Sequence, residues 1–213
     1  IDLLWESKES YVPPFYKGKA LPSDGASIYV TAFPNMSNGV NILSAKNLSY
    51  LWYINGEFID NVSGQGKQSA LIKLDFLDEK TDIKVRVRSP EGLESEKTIS
   101  VYPHSVMPLF YLYDELLGTR YSSLIERRFE TSTDFTLALV PFYFSTKGFL
   151  SSSISYSWLL DGLPITPTEK TLMSFRPKEN SVGSRNLLIQ LSNSKRGLQD
   201  AETSLDIFFD TRK

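Results

Sequence analysis

Cysteine is absent from the 213 residues, which excludes a disulfide framework, a thiol nucleophile and any thiolate metal site. Histidine occurs once, at His104, so imidazole chemistry has almost no material. No run approaches the ~18 consecutive apolar residues that a transmembrane helix needs. Neither sign of charge dominates: 23 Lys+Arg stand against 25 Asp+Glu, for a net charge of -2. Nucleic-acid binders gather cations on one face or stripe. The tight basic clusters here are the pairs Arg127-Arg128 and Lys195-Arg196, which read as solvated surface, so no nucleic-acid partner is expected. A phosphate-cradling Gly loop and the G-x-S-x-G nucleophile pattern are missing too. The chain opens at Ile1 without a Met and stops shortly after the strand-like run Leu205–Phe209. A processed chain or a fragment is expected, with any membrane attachment through an anchor outside it.

What is present is ordinary globular material, 41% apolar and 23% charged, enough for one large or two small domains. A repeat decides between these. Residues 48–59 and 154–165, at an offset of 106, share Ser49/Ser155, Tyr50/Tyr156, Trp52/Trp158, Gly56/Gly162 and Ile59/Ile165. Upstream, Ile28–Pro34 matches Phe135–Pro141, and downstream Gly92-Leu93 and Gly197-Leu198 both read as turns. Two copies of one ~100-residue unit follow, assigned as 1–103 and 104–213. Tyr102–Pro108, with Pro103 and Pro108, forms the stiff joint between them.

Each copy reads as strands. Tyr50, Trp52 and Ile54 alternate with Leu51 and Tyr53, while Ile83, Val85 and Val87 alternate with Lys84, Arg86 and Arg88. Asn55-Gly56 and Asp161-Gly162 supply the φ > 0 positions of tight hairpins. Short strands punctuated every ~8–12 residues mark an antiparallel sandwich. The 28 serines favour turns and edges over helix interiors. Residues 114–129 are the exception. Leu117, Tyr121, Leu124, Ile125 and Arg128 fit one face of a helix, with an irregular first strand of the second copy as the alternative.

The stretches Tyr50-x-Trp52-x-x-Asn55-Gly56 and Tyr156-x-Trp158-x-x-Asp161-Gly162 resemble the third-strand motif of immunoglobulin-like and PKD-like domains. The resemblance implies a Trp in the centre of each sandwich, with Trp52, Trp158, Tyr50 and Tyr156 as structural core. It departs from immunoglobulin domains in lacking the paired cysteines and the tyrosine corner, and from PKD domains in lacking their Gly-Asp-Gly-like continuation. With the opening stretch Trp5 to Leu21, the texture is similar to tandem domains of bacterial surface or exported proteins, which implies an extracellular or cell-envelope setting.

The remaining motifs favour structure over chemistry. Asp75, Asp78, Glu79 and Asp82 lie within eight residues, yet without the alternate acidic spacing and central Gly of an EF-hand, so a solvated loop is the better reading. His104 has no nucleophile or orienting carboxylate assigned to it. Asn35, Asn47 and Asn61 open N-glycosylation patterns that matter only in a eukaryotic secretory chain. Aromatics reach 13%, and Phe142-Tyr143-Phe144 and Leu109-Phe110-Tyr111 are the runs expected to leave a ring exposed.

The expectation is therefore an all-β chain of two tandem antiparallel β-sandwich domains, not an enzyme, with no cofactor and no metal. It serves as a spacer or an adhesion and protein-binding module. The alternative is a carbohydrate-binding module cut from a larger enzyme. A protein or glycan partner would meet loop tips such as 60–68 and 145–153.

Overall fold

A computed structural model of the chain describes residues 1–76, 78–146, 152–196 and 199–212. It is all-β. The chain divides into two compact units: Ile1–Ser10 with Gly18–Ser105, and Tyr11–Lys17 with Val106–Lys213.

The first unit holds β1 (Asp2–Ser7), β2 (Ser27–Phe33), β3 (Ser49–Ile54), β4 (Glu57–Phe58), β5 (Gly64–Gln65), β6 (Ser69–Lys73), β7 (Thr81–Arg88) and β8 (Glu94–Val101). One sheet runs β1-β2-β6 and the other β4-β3-β7-β8, with β5 on the end of β3. Period-2 alternation drives the packing. Ile28, Val30 and Ala32 turn inward from β2 to meet Tyr50, Trp52, Ile83, Val85 and Val87 of the facing sheet in one buried cluster. Tyr29 and Phe33 turn outward, beside Leu4 of β1 and Leu71 of β6, and stay exposed.

The second unit holds β9 (Met107–Asp114), β10 (Gly118–Ile125), β11 (Arg128–Thr131), β12 (Phe135–Phe142), β13 (Ile154–Leu160), β14 (Leu163–Ile165), β15 (Leu172–Phe175), β16 (Val182–Asn193) and β17 (Asp200–Asp210). Its sheets run β10-β9-β12-β15 and β11-β17-β16-β13-β14. Phe110, Leu137, Leu139 and Met173 pack on Trp158, Leu187, Ile189 and Leu205 across the sandwich. Residues 114–129 are no helix. Asp114 accepts the Leu116 and Leu117 amides at 2.8 and 3.0 Å, and Gly118 at φ +75° closes a β9–β10 hairpin. Leu117, Tyr121 and Leu124 are exposed and Ile125 alone of the apolar four is buried, so the spacing belongs to a strand with a bulge between Thr119 and Leu124. Of the paired turns, Gly197-Leu198 lies outside the described residues.

The repeat extends to hydrogen bonds. The Trp52 indole donates to the Lys67 carbonyl at 2.9 Å, and the Trp158 indole to the Lys170 carbonyl at 3.4 Å. Thr31 meets Ser69 hydroxyl to hydroxyl at 2.9 Å, and Thr136 meets Ser174 at 2.8 Å. At the hairpin turns Asn55 and Asp161 both sit at φ 50°. Each donates its amide to a carbonyl of the adjoining strand, Asp82 or Asn186, at 2.8 Å. Its side-chain oxygen accepts that same residue's amide at 2.9 Å. The partner's side chain then reaches the last strand: Asp82 accepts from Ser100 at 2.6 Å, and Asn186 donates to Asp206 at 2.8 Å. The two copies have exchanged amide and carboxylate within one device.

Candidate functional site

Residues 11–17 form a strap on the second unit. The Tyr11 amide donates to the Phe144 carbonyl at 2.9 Å, and the Tyr143 amide returns a bond to Tyr11 at 2.8 Å. Beyond this anchor the chain turns at Pro13-Pro14-Phe15-Tyr16, closed by the Tyr16 amide on the Pro13 carbonyl at 3.2 Å. Proline suits the second position of such a turn, and the third, when φ is positive, ordinarily falls to Gly or Asn. Here it is Phe15, at φ 62°. A bulky side chain in the left-handed region is an outlier that costs about 1–3 kcal/mol. Its ring is 99% exposed. Tyr16 pins the far side of the turn, its ring edge-on to Phe142 at 5.6 Å and its hydroxyl 3.1 Å from that of Tyr143.

Under the strap lies the outward side of β12. Strand alternation sends Leu137 and Leu139 into the core and Ala138, Val140 and Phe142 the other way, yet all five are buried, with Tyr16 of the strap on Phe142 and Tyr11 beside Ala138 and Val140. This corrects one expectation. Phe142, Tyr143, Phe144, Phe110 and Tyr111 are all buried, and the aromatic that stands out is Phe15.

Tyr11, Tyr113 and Tyr121, with Thr119, Glu169 and Thr171, wall a cleft of about 170 Å³ floored by Ala138, Leu139 and Val140. The Tyr11 and Tyr121 phenols are hydrogen-bonded to each other, and the Tyr121 ring stands edge-on to Tyr111 at 5.6 Å. Burial pushes the Tyr11, Tyr111 and Tyr121 phenols above their ordinary range. Burial likewise raises Tyr143 to about 12, helped by its bond to Tyr16. The phenols thus stay protonated near neutral pH and offer faces, donors and acceptors rather than a base or a nucleophile. Glu169 is exposed on the rim. A second cavity, about 350 Å³, opens beside Phe135 and Phe175 with Arg176 and Arg185 on its edge. Both guanidiniums already face carboxylates, Asp134 at 2.8 Å and Asp161 at 3.3 Å.

The core residues singled out from sequence lie as follows. Trp52 and Tyr50 are fully buried in the first unit, the Tyr50 hydroxyl donating to the Ala45 carbonyl at 3.0 Å. Trp158 is 2% exposed in the second. Tyr156 is half-buried against the same core, its phenol pushed up by burial and by neighbouring Tyr11. The four are not brought together as a site. Asp78 accepts from Asn55 at 2.8 Å and Asp82 pairs with Lys80 at 2.8 Å. Among the described residues no cluster of His and acidic side chains could hold a metal ion. Asn35, Asn47 and Asn61 are exposed. Of the two tips, 60–68 is laced to β3, since Ser63 accepts the Trp52 amide at 2.9 Å and the Gly66 amide donates to Leu48 at 2.9 Å. In 145–153, residues 147–151 lie outside the described residues. Sequence reasoning missed the strap as a site, although Pro13-Pro14 followed by two aromatics was the available signal.

No family model matches this sequence, and no curated protein does. Among solved structures the chain is similar to fibronectin(III)-like modules of Clostridium thermocellum CbhA, at 14% identity and TM-score 0.31 over 89% of this chain and 90% of that one. It is also similar to Sidekick-1 immunoglobulin domains 1–5, at 12% identity and TM-score 0.30, covering 89% of this chain but 38% of that one. A third likeness, at 10% identity and TM-score 0.27 over 99% and 70% of the two chains, is to a Bacteroides ovatus mixed-linkage glucan utilization locus protein, SGBP-B, in complex with a mixed-linkage heptasaccharide. At these values the likenesses carry no argument, and the sandwich architecture rests on the chain's own strand pairing.

Proposed function

We propose that this chain is a non-catalytic module of the cell envelope or the extracellular space, a spacer that carries an adhesion surface. It comprises domains 1–103 and 104–213, with the strap serving the second. The observation that carries the reading is Phe15. A bulky ring held at positive φ and left almost wholly in water spends conformational energy on presentation, as contact residues do. Beside it in the strap's setting stand the Tyr11 and Tyr143 phenols, which burial keeps protonated. The test is fractionation of the full-length protein with protease added outside intact cells. An envelope or secreted protein cleaved from outside is expected, and a soluble cytoplasmic protein would overturn the reading.

The tyrosine cleft favours a second reading, carbohydrate binding, because phenol faces stack on sugars and Glu169 can accept from hydroxyls. A glycan array separates the two. Reproducible sugar binding that Tyr121→Ala abolishes would select the second reading.

A further inference from the structure

We infer that Phe15 of one copy of this chain inserts into the tyrosine cleft of a second copy, with Lys17 of the first facing Glu169 of the second, in a two-fold symmetric contact. This rests on reading the strap-bearing face as a contact surface, and it names the partner.

The argument begins with the misfit of Phe15 to its own turn. At φ 62° and 99% exposed, the ring gains nothing within its own unit for the strain it imposes, so its stabilising contact lies outside the unit. The turn is nevertheless fixed. Tyr11 anchors one side through two backbone bonds, and Tyr16 anchors the other through Phe142 and Tyr143. A ring presented this way loses little entropy when it is captured.

The cleft has complementary size and chemistry. Its ~170 Å³ falls below the ~300–1,000 Å³ of sites for drug-sized ligands, but a cavity of ~150 Å³ takes up one benzene ring. Tyr11, Tyr113 and Tyr121 offer ring edges and faces, which pair with an incoming phenyl group in tilted geometry. Charge complements it as well. Lys17 follows Phe15 by two residues, Glu169 stands on the cleft rim, and neither is in an ion pair among the described residues.

Geometry supplies the symmetry. The strap contributes both Tyr11, a wall of the cleft, and Phe15, the knob. Tyr16 lies on Phe142, on the same outward side of β12 as Ala138 and Val140 in the cleft floor. Knob and socket therefore share one face, and a patch that carries both is complementary to itself under a two-fold rotation.

Sedimentation equilibrium on the 213-residue chain, from about 5 µM to 1 mM, tests the contact. A monomer–dimer equilibrium with Kd between about 10 µM and 1 mM is expected. Phe15→Ala should weaken it at least ~10-fold. Phe15→Gly should weaken it equally while the melting temperature holds or rises, because Gly accepts the positive φ, which separates loss of contact from loss of fold. Lys17→Glu and Glu169→Lys should each weaken the dimer, and the double exchange should restore it to within ~3-fold. A chain that stays monomeric to ~1 mM, or a dimer that Phe15→Ala leaves unchanged, overturns the pairing. So does a monomer that binds a glycan through Tyr121, which would give the cleft to sugar. Each of these outcomes is independent of the fractionation experiment.

Discussion

The two units use one frame and finish it differently. Both bury a Trp whose indole donates to the carbonyl of a lysine, Lys67 or Lys170. Both also tie a positive-φ hairpin residue to the adjoining strand by a paired bond. In the first unit the outward face of β2 is left open, with Leu4, Tyr29, Phe33 and Leu71 exposed. In the second the matching face of β12 carries the strap, and Ala138, Val140 and Phe142 are buried. The parallel pairing of β11 with β17 is another addition to the second unit, which has no counterpart among the described residues of the first. The common elements are those a single sandwich needs to close. Of the additions, the strap and β10 wall the tyrosine cleft through Tyr11, Thr119 and Tyr121, which is where a contact role would separate one copy from the other.

The sharpest break in the comparison comes from the two tryptophans. Trp52→Ala and Trp158→Ala should each cost about 3–5 kcal/mol, through lost burial and an unfilled cavity. In calorimetry each should lower the transition of its own unit and spare the other. Cutting the chain so that residues 104–213 stand alone should destabilise that unit by more than ~2 kcal/mol, since Val140 and Phe142 lose their cover. The matching loss of residues 11–17 should leave the first unit's transition in place. Gly25→Ala should cost the first unit alone about 1–3 kcal/mol. Gly25 sits at φ +66°, and an added Cβ would come within 2.2 Å of the Phe76 ring. Asn55→Ala should remove about 1 kcal/mol, whereas the double exchange Asn55→Asp with Asp82→Asn, which copies the second unit's arrangement, should recover most of it.

The smallest effect is in acid. Hydrogen bonds from Lys80 and Ser100 hold the Asp82 carboxyl below the ordinary carboxylate range. A folded-state pKa below the unfolded one means stability present above about pH 4, lost as pH falls through the folded value. Asp82→Asn should flatten the acid limb of the first unit's melting curve, and Asn186 in the second unit has no such limb to lose.

The frame was legible because its signals are local. Trp52 and Trp158 recur in register beside Asn55-Gly56 and Asp161-Gly162, and alternation within each strand marks the inward face. At 114–125 the sequence allows both a helix and an irregular strand, because Leu117, Tyr121, Leu124 and Ile125 fit one helical face as readily as a bulged strand, and the strand is what forms. The discriminating features, an Asp114 side-chain turn and a positive-φ Gly118, weigh little in a periodicity count. The candidate site was hidden for a different reason. Tyr11 pairs with Phe144 and Tyr143, more than 130 positions on, and Pro13-Pro14 reads as a loop with no stated destination. The same long reach buries Phe142, which its own neighbourhood would leave in water. The Asn/Asp exchange was invisible too, since Asp82 and Asn186 become equivalent only when their turns are seen closing on them.

The strap also sets a timetable for biosynthesis. Its seven residues, Tyr11–Lys17, leave the ribosome long before the strand they cover, because Phe142 follows some 130 residues later. At ~5–20 residues per second that interval is on the order of ten seconds. During it the first unit's segments 1–10 and 18–105 can pair while the intervening loop, with Phe15 at its apex, has nothing to dock on. Until Phe142 emerges, Phe15 and its flanking aromatics Tyr11 and Tyr16 have no strand to dock on, and once it does the strap settles on it with only the Phe15 ring left outside.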